Sequence, residues 1–381
     1  MSERGIELEI NEVKQLIKEA WRTGYRGSWL LLGPPGVGKT EGIRQLCEEL
    51  AKEEGLQFVV YDDSKFDAIM RERSKYWVHV EFAASIAEPA DFMGIPRESN
   101  GYTRYRPLAW VKALASGKGS LFLDEITNVH RPDTQSAMLR VVLERMVGYT
   151  ALHDDVLIIA AGNKQEHSSL ALPLNEPMRA GKVTIIDVKA PSVSSWIEYM
   201  DRRYGEKWDR RVAVYLMKFS EHFLETKWTE GYTALRSPRG WTKLALLSHR
   251  LTREEFVHAV ARGLVGEEAA VHFCAFLRIK PPELEKLEAD PKAWSTLSDD
   301  TKYFVVLEIA NRKLNAIKDC PKLLTHIAER EREMLNLLIV LIPEKERTQF
   351  VMALRKQLPQ VFQALLKSAI VVSKLRAGDL E

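Results

Sequence analysis

The chain has 381 residues, 45% of them hydrophobic, with 55 Lys and Arg against 53 Asp and Glu for a net charge of +2. That length allows more than one domain, and so even a balance gives no strong electrostatic preference for nucleic acid or a membrane. Cys47, Cys274 and Cys320 are scattered and form no C-x-x-C pair, which argues against a disulfide framework or zinc site and for a reducing compartment. Met1–Gly5 lacks a signal-peptide pattern, and the longest apolar run, near Leu335–Ile342, is too short to span a bilayer. A cytoplasmic protein without membrane insertion is expected.

Val13, Leu16, Ile17, Ala20 and Trp21 recur at helical spacing and predict an N-terminal amphipathic helix within residues 1–25, ended at Gly24. Ser28–Leu32 reads as a short buried strand. It feeds Gly33-Pro34-Pro35-Gly36-Val37-Gly38-Lys39-Thr40, which fits the phosphate-loop pattern G-x-x-x-x-G-K-[ST]. Glycines let backbone N–H groups turn inward as an anion cradle. Thr40 opens a helix through about Leu50, whose N-terminus would face the phosphates. Lys39 is expected to reach the β- and γ-phosphates, and the Thr40 hydroxyl to bind Mg²⁺. Gln57–Tyr61 and Trp77–Phe82 both read as strands; we read the second as the core strand and the first as an added element.

Gly94–Pro107, with Tyr102, Arg104, Tyr105 and Arg106, precedes a predicted helix over Leu108–Ala115. Its aromatics could grip a polypeptide or simply pack a hairpin. Leu121-Phe122-Leu123 suits a parallel strand buried on both faces. Asp124 then stands at the strand's carboxyl end, where open α/β sheets bind ligands, and can hold Mg²⁺ through water. Glu125 points differently and can polarise an attacking water. Met146–Asp155 predicts a hairpin whose distal part holds His153, Asp154 and Asp155. A hairpin that tracks a phosphate backbone should be basic, so this acidity argues against a DNA motor. Val156–Ala160 is a third buried strand. Asn163 follows it and could orient the water and touch the γ-phosphate. Two later arginines, Arg179 and Arg239 of Ser237-Pro238-Arg239, complete the set, with Pro238 at a tolerated early helix position.

Strands alternating with helices to about Lys189 imply a parallel sheet with helices on both sides. Pro191 breaks the chain, and from Val193 the pattern is helical nearly throughout. Pro281-Pro282 and Pro291 mark a linker or a kinked connection, and further helices are expected from about Thr301 to Leu375. The charges of Ala328–Glu333 read most simply as a solvated face beside a packing stripe of leucines.

On these motifs the chain resembles AAA+ ATPases and, among them, is similar to the MoxR-like group, over roughly residues 26–250. Gly33–Thr40 corresponds to Walker A, Leu121–Glu125 to Walker B, Asn163 to sensor 1, Arg179 to the arginine finger and Arg239 to sensor 2. Further likeness lies in Ala90–Pro96, Glu144–Gly148 and Ser237–Trp241. Met178-Arg179-Ala180-Gly181 stands where the family commonly shows an aromatic after the finger arginine. The resemblance implies an α/β fold, a P-loop NTPase αβα sandwich with a parallel sheet over residues 26–189. An all-α lid over 190–266 and an all-α C-terminal region over 267–381 would follow. It implies ATP and Mg²⁺ as cofactors, with Gly33, Pro34, Pro35, Gly36, Val37, Gly38, Lys39, Thr40 and Asp124 binding nucleotide. Thr40 and Asp124 would serve the metal, and Glu125, Asn163, Arg179 and Arg239 would be catalytic. It further implies a homo-oligomer, a hexameric ring in which Arg179 enters the neighbour's site, with Arg145 the next candidate for that role. The implied work is remodelling or activating a protein partner, in many members one bearing a von Willebrand factor A domain. A nucleic-acid-dependent motor and a nucleotide-gated module of slow turnover are the alternatives; the balanced charge disfavours nucleic acid.

Overall fold

Ser28–Leu32 and Val156–Gly162 are buried at every position, a pattern that only a sheet covered on both faces permits. The computed structural model describes residues 6–173, 178–225 and 233–367. They divide into two compact units, one up to Ala190 and one from Pro191 onward.

The strands of the first unit are, in chain order, β1 (Glu7–Leu8), β2 (Ser28–Leu32), β3 (Gln57–Val60), β4 (Tyr76–Ala83), β5 (Ile95–Ser99), β6 (Tyr102–Arg106), β7 (Gly119–Asp124), β8 (Met146–Val147), β9 (Thr150–Ala151), β10 (Val156–Gly162) and β11 (Val183–Val188). Seven of them form one parallel sheet in the order β1-β11-β2-β10-β7-β4-β3. β4 is therefore a core strand, as read from the sequence, and β3, expected only as an added element, is the edge strand beside it. β5–β6 and β8–β9 are separate antiparallel hairpins. Helices α1 (Ile10–Arg22), α2 (Lys39–Glu53), α3 (Phe66–Arg71), α4 (Pro89–Met93), α5 (Ala109–Ala115) and α6 (Pro132–Glu144) complete the unit.

Alternate residues of each central strand feed opposite cores. Leu31, Phe122 and Ile159 pack with Val13, Ile17 and Trp21 of α1 and Ile43, Leu46 and Leu50 of α2. Leu30, Leu121 and Ile158 pack with Trp110 and Leu114 of α5 and Met138 and Val142 of α6. Leu16, expected on the buried stripe of α1, is exposed: it falls at the margin of the face that Val13 and Ile17 bury.

The second unit is helical. It begins with α7 (Val193–Tyr204), α8 (Arg211–Lys218) and α9 (Pro238–Ser248) and continues through helices between Glu254 and Leu366. One hydrophobic core joins residues from Val193 to Leu365. The proline-rich stretch around residues 281–291 is a packed, kinked connection rather than a loose linker, because Leu284, Leu287 and Trp294 are buried in that same core. Glu329, Arg330, Arg332 and Glu333 are exposed, while Glu331 takes a hydrogen bond from Lys302 at 2.6 Å. Of the helices expected as far as Leu375, residues 368–375 lie outside the described residues, as do Met1–Gly5. Among the described residues no helix is long and apolar enough to cross a membrane.

Two expectations change. The β8–β9 hairpin turns at Gly148-Tyr149, so His153, Asp154 and Asp155 follow it rather than form its distal end. Asp155 is tied back by Arg26 Nε at 2.9 Å. The acidity that argued against nucleic acid is thus not presented by the hairpin. Arg145, the reserve candidate for a trans-acting finger, is committed within its own chain. Its Nη1 donates to Arg26 O at 2.7 Å, and its Nη2 to the carbonyls of Val156 at 2.6 Å, Asp154 at 3.1 Å and His153 at 3.3 Å. Burial lowers its guanidinium below the usual value, which fits a structural clamp. Arg145→Leu should cost about 2–3 kcal/mol in stability, since the β10 approach loses its shared donor and buried carbonyls go unpaired. Urea unfolding of both proteins measures this; an unchanged midpoint and slope would remove the clamp role.

Candidate functional site

The parallel register brings three strand ends to one edge. Leu32 lies beside Gly162, Leu123 beside Ala160, and Asp124 beside Ala83. The loop after β2, the acids after β7 and Asn163 after β10 therefore meet, where doubly wound sheets place their ligands. Gly36 and Gly38 take φ of 76° and 96°, which lets the loop curl tightly before α2 starts at Lys39. The loop is pinned to its neighbour strand by Gly33 N donating to Gly162 O at 3.2 Å.

Lys39 is 8% exposed. Its ammonium donates to Gly33 O at 2.7 Å, Pro34 O at 2.9 Å and Asn163 Oδ1 at 3.2 Å. With Oδ1 engaged, the amide NH₂ of Asn163 has no partner among the described residues and is the end available to a substrate. Asn163 N donates to Thr127 Oγ1 at 2.9 Å, which fixes the backbone that carries this amide.

Thr40 Oγ1 donates to Asp124 Oδ2 at 2.6 Å. The other oxygen of Asp124 accepts from Glu125 N at 2.9 Å. A hydroxyl and a carboxylate so placed are hard oxygen donors of the kind Mg²⁺ takes beside substrate phosphates. Glu125 stands in the left-handed region at φ 58°, which turns its side chain off the line of β7. Its carboxylate is exposed, and Oε2 accepts from Ser85 Oγ at 2.7 Å. Nearby, burial pushes the imidazole of His167 below its ordinary pKa, and the positive charges of Lys164 and Lys39 act in the same direction.

Behind the loop, α2 is tied to the sheet by a polar chain. Arg44 donates to both oxygens of Glu81, at 2.8 and 2.6 Å. Glu81 meets His79 Nε2 at 3.0 Å, His79 Nδ1 meets Ser120 Oγ at 2.7 Å, and Trp77 Nε1 donates to that same oxygen at 3.0 Å. Burial opposes the Glu81 charge, but hydrogen bonds from His79 and Arg44 outweigh it and hold the carboxyl down at about 2. Cys47 on the same helix is inert: burial pushes its thiol up to about 12.

The structure thus brings together Gly33–Thr40, Asp124, Glu125 and Asn163. Arg239 belongs to the second unit, on the first turn of α9, where Ser237 Oγ caps the helix by accepting from Gly240 N at 3.2 Å. It is exposed and has no side-chain partner among the described residues. Arg179 lies in the π-helical turn Met178–Lys182, and its side chain is outside the described residues. Sequence reasoning missed Ser85, Thr127 and the Arg44–Glu81 pair. Only strand register reveals the first two; the third had a weak signal in Glu81, a charged residue within an apolar strand.

A family model described as "ATPase family associated with various cellular activities (AAA)" matches residues 29–188. No curated protein matches the chain. Solved structures similar to it include NtrX from Brucella abortus in complex with ADP, at 14% identity and a TM-score of 0.38. That match covers 93% of this chain and 66% of NtrX, so the chain spans just under two thirds of NtrX. Others are the Aeropyrum pernix ORC2 protein, at 14% identity and TM-score 0.33 over 94% of this chain and 88% of that one, and RuvB from Thermotoga maritima, at 14% and 0.33 over 84% and 80%. The seven-stranded parallel sheet with its flanking helices and phosphate loop is a P-loop AAA+ fold, and it coincides with the residues 29–188 that match the AAA family model.

Proposed function

We propose that this chain is a MoxR-like AAA+ ATPase that hydrolyses Mg-ATP at intersubunit sites of a homo-oligomeric, hexameric ring and uses the cycle to remodel or activate a protein partner. The observation that carries the reading is the joining of Lys39, the Thr40–Asp124 pair, Asn163 and a Ser85-held Glu125 at one sheet edge. Backbone N–H groups of Gly36–Thr40 and the Lys39 ammonium bind the phosphates. Mg²⁺, held by Thr40 and through water by Asp124, would supply positive charge to the β- and γ-phosphate oxygens. Glu125 takes the proton of the attacking water, and Ser85 fixes one carboxylate oxygen so that the other faces the water. The Asn163 amide positions that water. Arg179 reaches the neighbour's γ-phosphate, and Arg239, in a lid over residues 190–266, couples lid movement to the nucleotide. The resemblance to MoxR-like proteins supports a partner with a von Willebrand factor A domain, and the even net charge supports a protein rather than a nucleic acid.

Lys39→Ala should lose nucleotide binding, because the cradle loses its buried cation; equilibrium dialysis with ATP showing wild-type affinity would remove the phosphate-loop assignment. Glu125→Gln should bind ATP yet hydrolyse it about a hundredfold or more slowly. Ser85→Ala should lower turnover while leaving ATP affinity near wild type. Phosphate release under saturating ATP measures both, and wild-type turnover in Glu125→Gln would assign the base elsewhere. A pulldown with Glu125→Gln in ATP should also retain the partner.

Arg179→Ala should fold and bind ATP yet turn over about a thousandfold more slowly. Mixed oligomers of Arg179→Ala and Lys39→Ala contain interfaces with an intact Lys39 site facing an intact Arg179, and these should recover hydrolysis that neither variant shows alone. Full activity of Arg179→Ala alone would reduce Arg179 to a surface charge.

A further inference from the structure

The β5–β6 hairpin carries charge that no ion pair among the described residues answers. Its strands turn through Asn100-Gly101, both at positive φ (54° and 77°), as a two-residue hairpin of the favoured twist requires. The register pairs Ile95 with Arg106, Arg97 with Arg104, and Ser99 with Tyr102. Directly opposed residues share a face, so Arg97, Arg104, Arg106 and Tyr102 stand together. Pro96, Glu98, Thr103 and Tyr105 take the other face, where the Tyr105 ring lies 5.7 Å from that of Tyr149 in the β8–β9 hairpin. The arginine face is thus the one turned away from this brace.

All residues of β6 are exposed, Tyr102 at 68%, and none of the three arginines has an ion pair among the described residues. Their surroundings are different. Lys14 and Lys18 bind Glu49, Arg22 binds Glu53, Arg44 binds Glu81, Arg131 binds Glu88 and Arg140 binds Glu144. Arg97 opposite Arg104 is a like-charge cross-strand pair, which destabilises a hairpin. A merely solvated face could carry the mixed charges used elsewhere. The edges are open too, since this sheet has only these two strands. β5 loses a donor at Pro96, whereas β6 offers its full set of outer N–H and C=O groups.

We infer that this face binds an extended acidic segment of the protein partner, added as a strand along β6 with carboxylates at alternate positions against Arg104 and Arg106. This deepens the protein-partner reading above and rests on it. Side chains on one face of a strand recur about every 6.8 Å, so alternate carboxylates of an added strand match the Arg104–Arg106 step, and Arg97 contributes a third cation from β5. The open edge decides between polymers: its N–H and C=O groups complement another polypeptide backbone, not a sugar-phosphate one.

The test is fluorescence anisotropy of labelled ten-residue peptides with the full chain at low salt, without nucleotide. An alternating Glu-Thr peptide should bind, an alternating Lys-Thr peptide should not, and added salt should weaken the complex. The triple variant Arg97→Gln, Arg104→Gln, Arg106→Gln should lose about tenfold in affinity at an unchanged melting temperature. The triple Glu variant at the same positions should instead bind the Lys-Thr peptide, which guards against a mere folding defect. No binding of the Glu-Thr peptide to wild type, equal binding to the Gln variant, or tighter binding of a ten-nucleotide oligothymidylate would overturn the inference. Because no nucleotide is present, these outcomes are independent of whether the chain hydrolyses ATP.

Discussion

Burying an ammonium at the carboxyl edge of a parallel sheet is the constraint around which the site is organised. A buried charge without partners costs on the order of several kcal/mol, and Lys39 is 8% exposed. Its three protons find three acceptors, two from the loop after β2 and one from Asn163 after β10. Satisfying one side chain therefore requires two strands to be neighbours and in register. A slip of β10 against β2 would move the Asn163 amide away and leave the charge short of an acceptor. The same register sets Asp124 under Thr40, so the cation and the acid are positioned by one set of backbone bonds.

The helix that carries Lys39 and Thr40 is held from its far side as well. Arg44 lies one turn beyond Thr40 and grips Glu81 with both arms of its guanidinium, and Glu81 leads through His79 to Ser120 on the strand that ends in Asp124. Bidentate geometry makes this a directional restraint and not only an attraction. The network and the Thr40–Asp124 bond thus tie α2 to β7 at two points. A phosphate loop held this way keeps its amides aimed without help from a ligand, which lowers the ordering cost of binding.

What could be read from the sequence was what is local in the chain. The loop glycines, the apolar strands and the acids after β7 are contiguous, so their chemistry and their secondary structure appear in one window. Their order along the chain then implied the sheet edge on which they meet. Ser85 was not legible: forty residues separate it from Glu125, and only the pairing of Ala83 with Asp124 brings the two together. The β8–β9 hairpin was seen, but its turn was misplaced, because strands of two residues leave no alternation to count. Leu16 misled for a related reason, since one residue at the margin of a helical stripe changes its burial with a small rotation of α1.

Arginine is where sequence and structure part most clearly, because the residue name does not say what its donors do. Arg145 spends its guanidinium on carbonyls of its own fold, and Arg44 on a carboxylate behind the loop. Both are engaged within their own unit. Arg239 is exposed on the first turn of a helix capped by Ser237, where the helix N-terminus already carries partial positive charge. A cation placed there is unfavourable for the helix alone, as Arg97 opposite Arg104 is unfavourable for its hairpin. Local cost without a compensating partner among the described residues is the physical signature these positions share, and a bound anion would offset it at both. For Arg239 a nucleotide phosphate has the right charge. On the β5–β6 face three cations at strand spacing fit a chain of carboxylates better than a single ion.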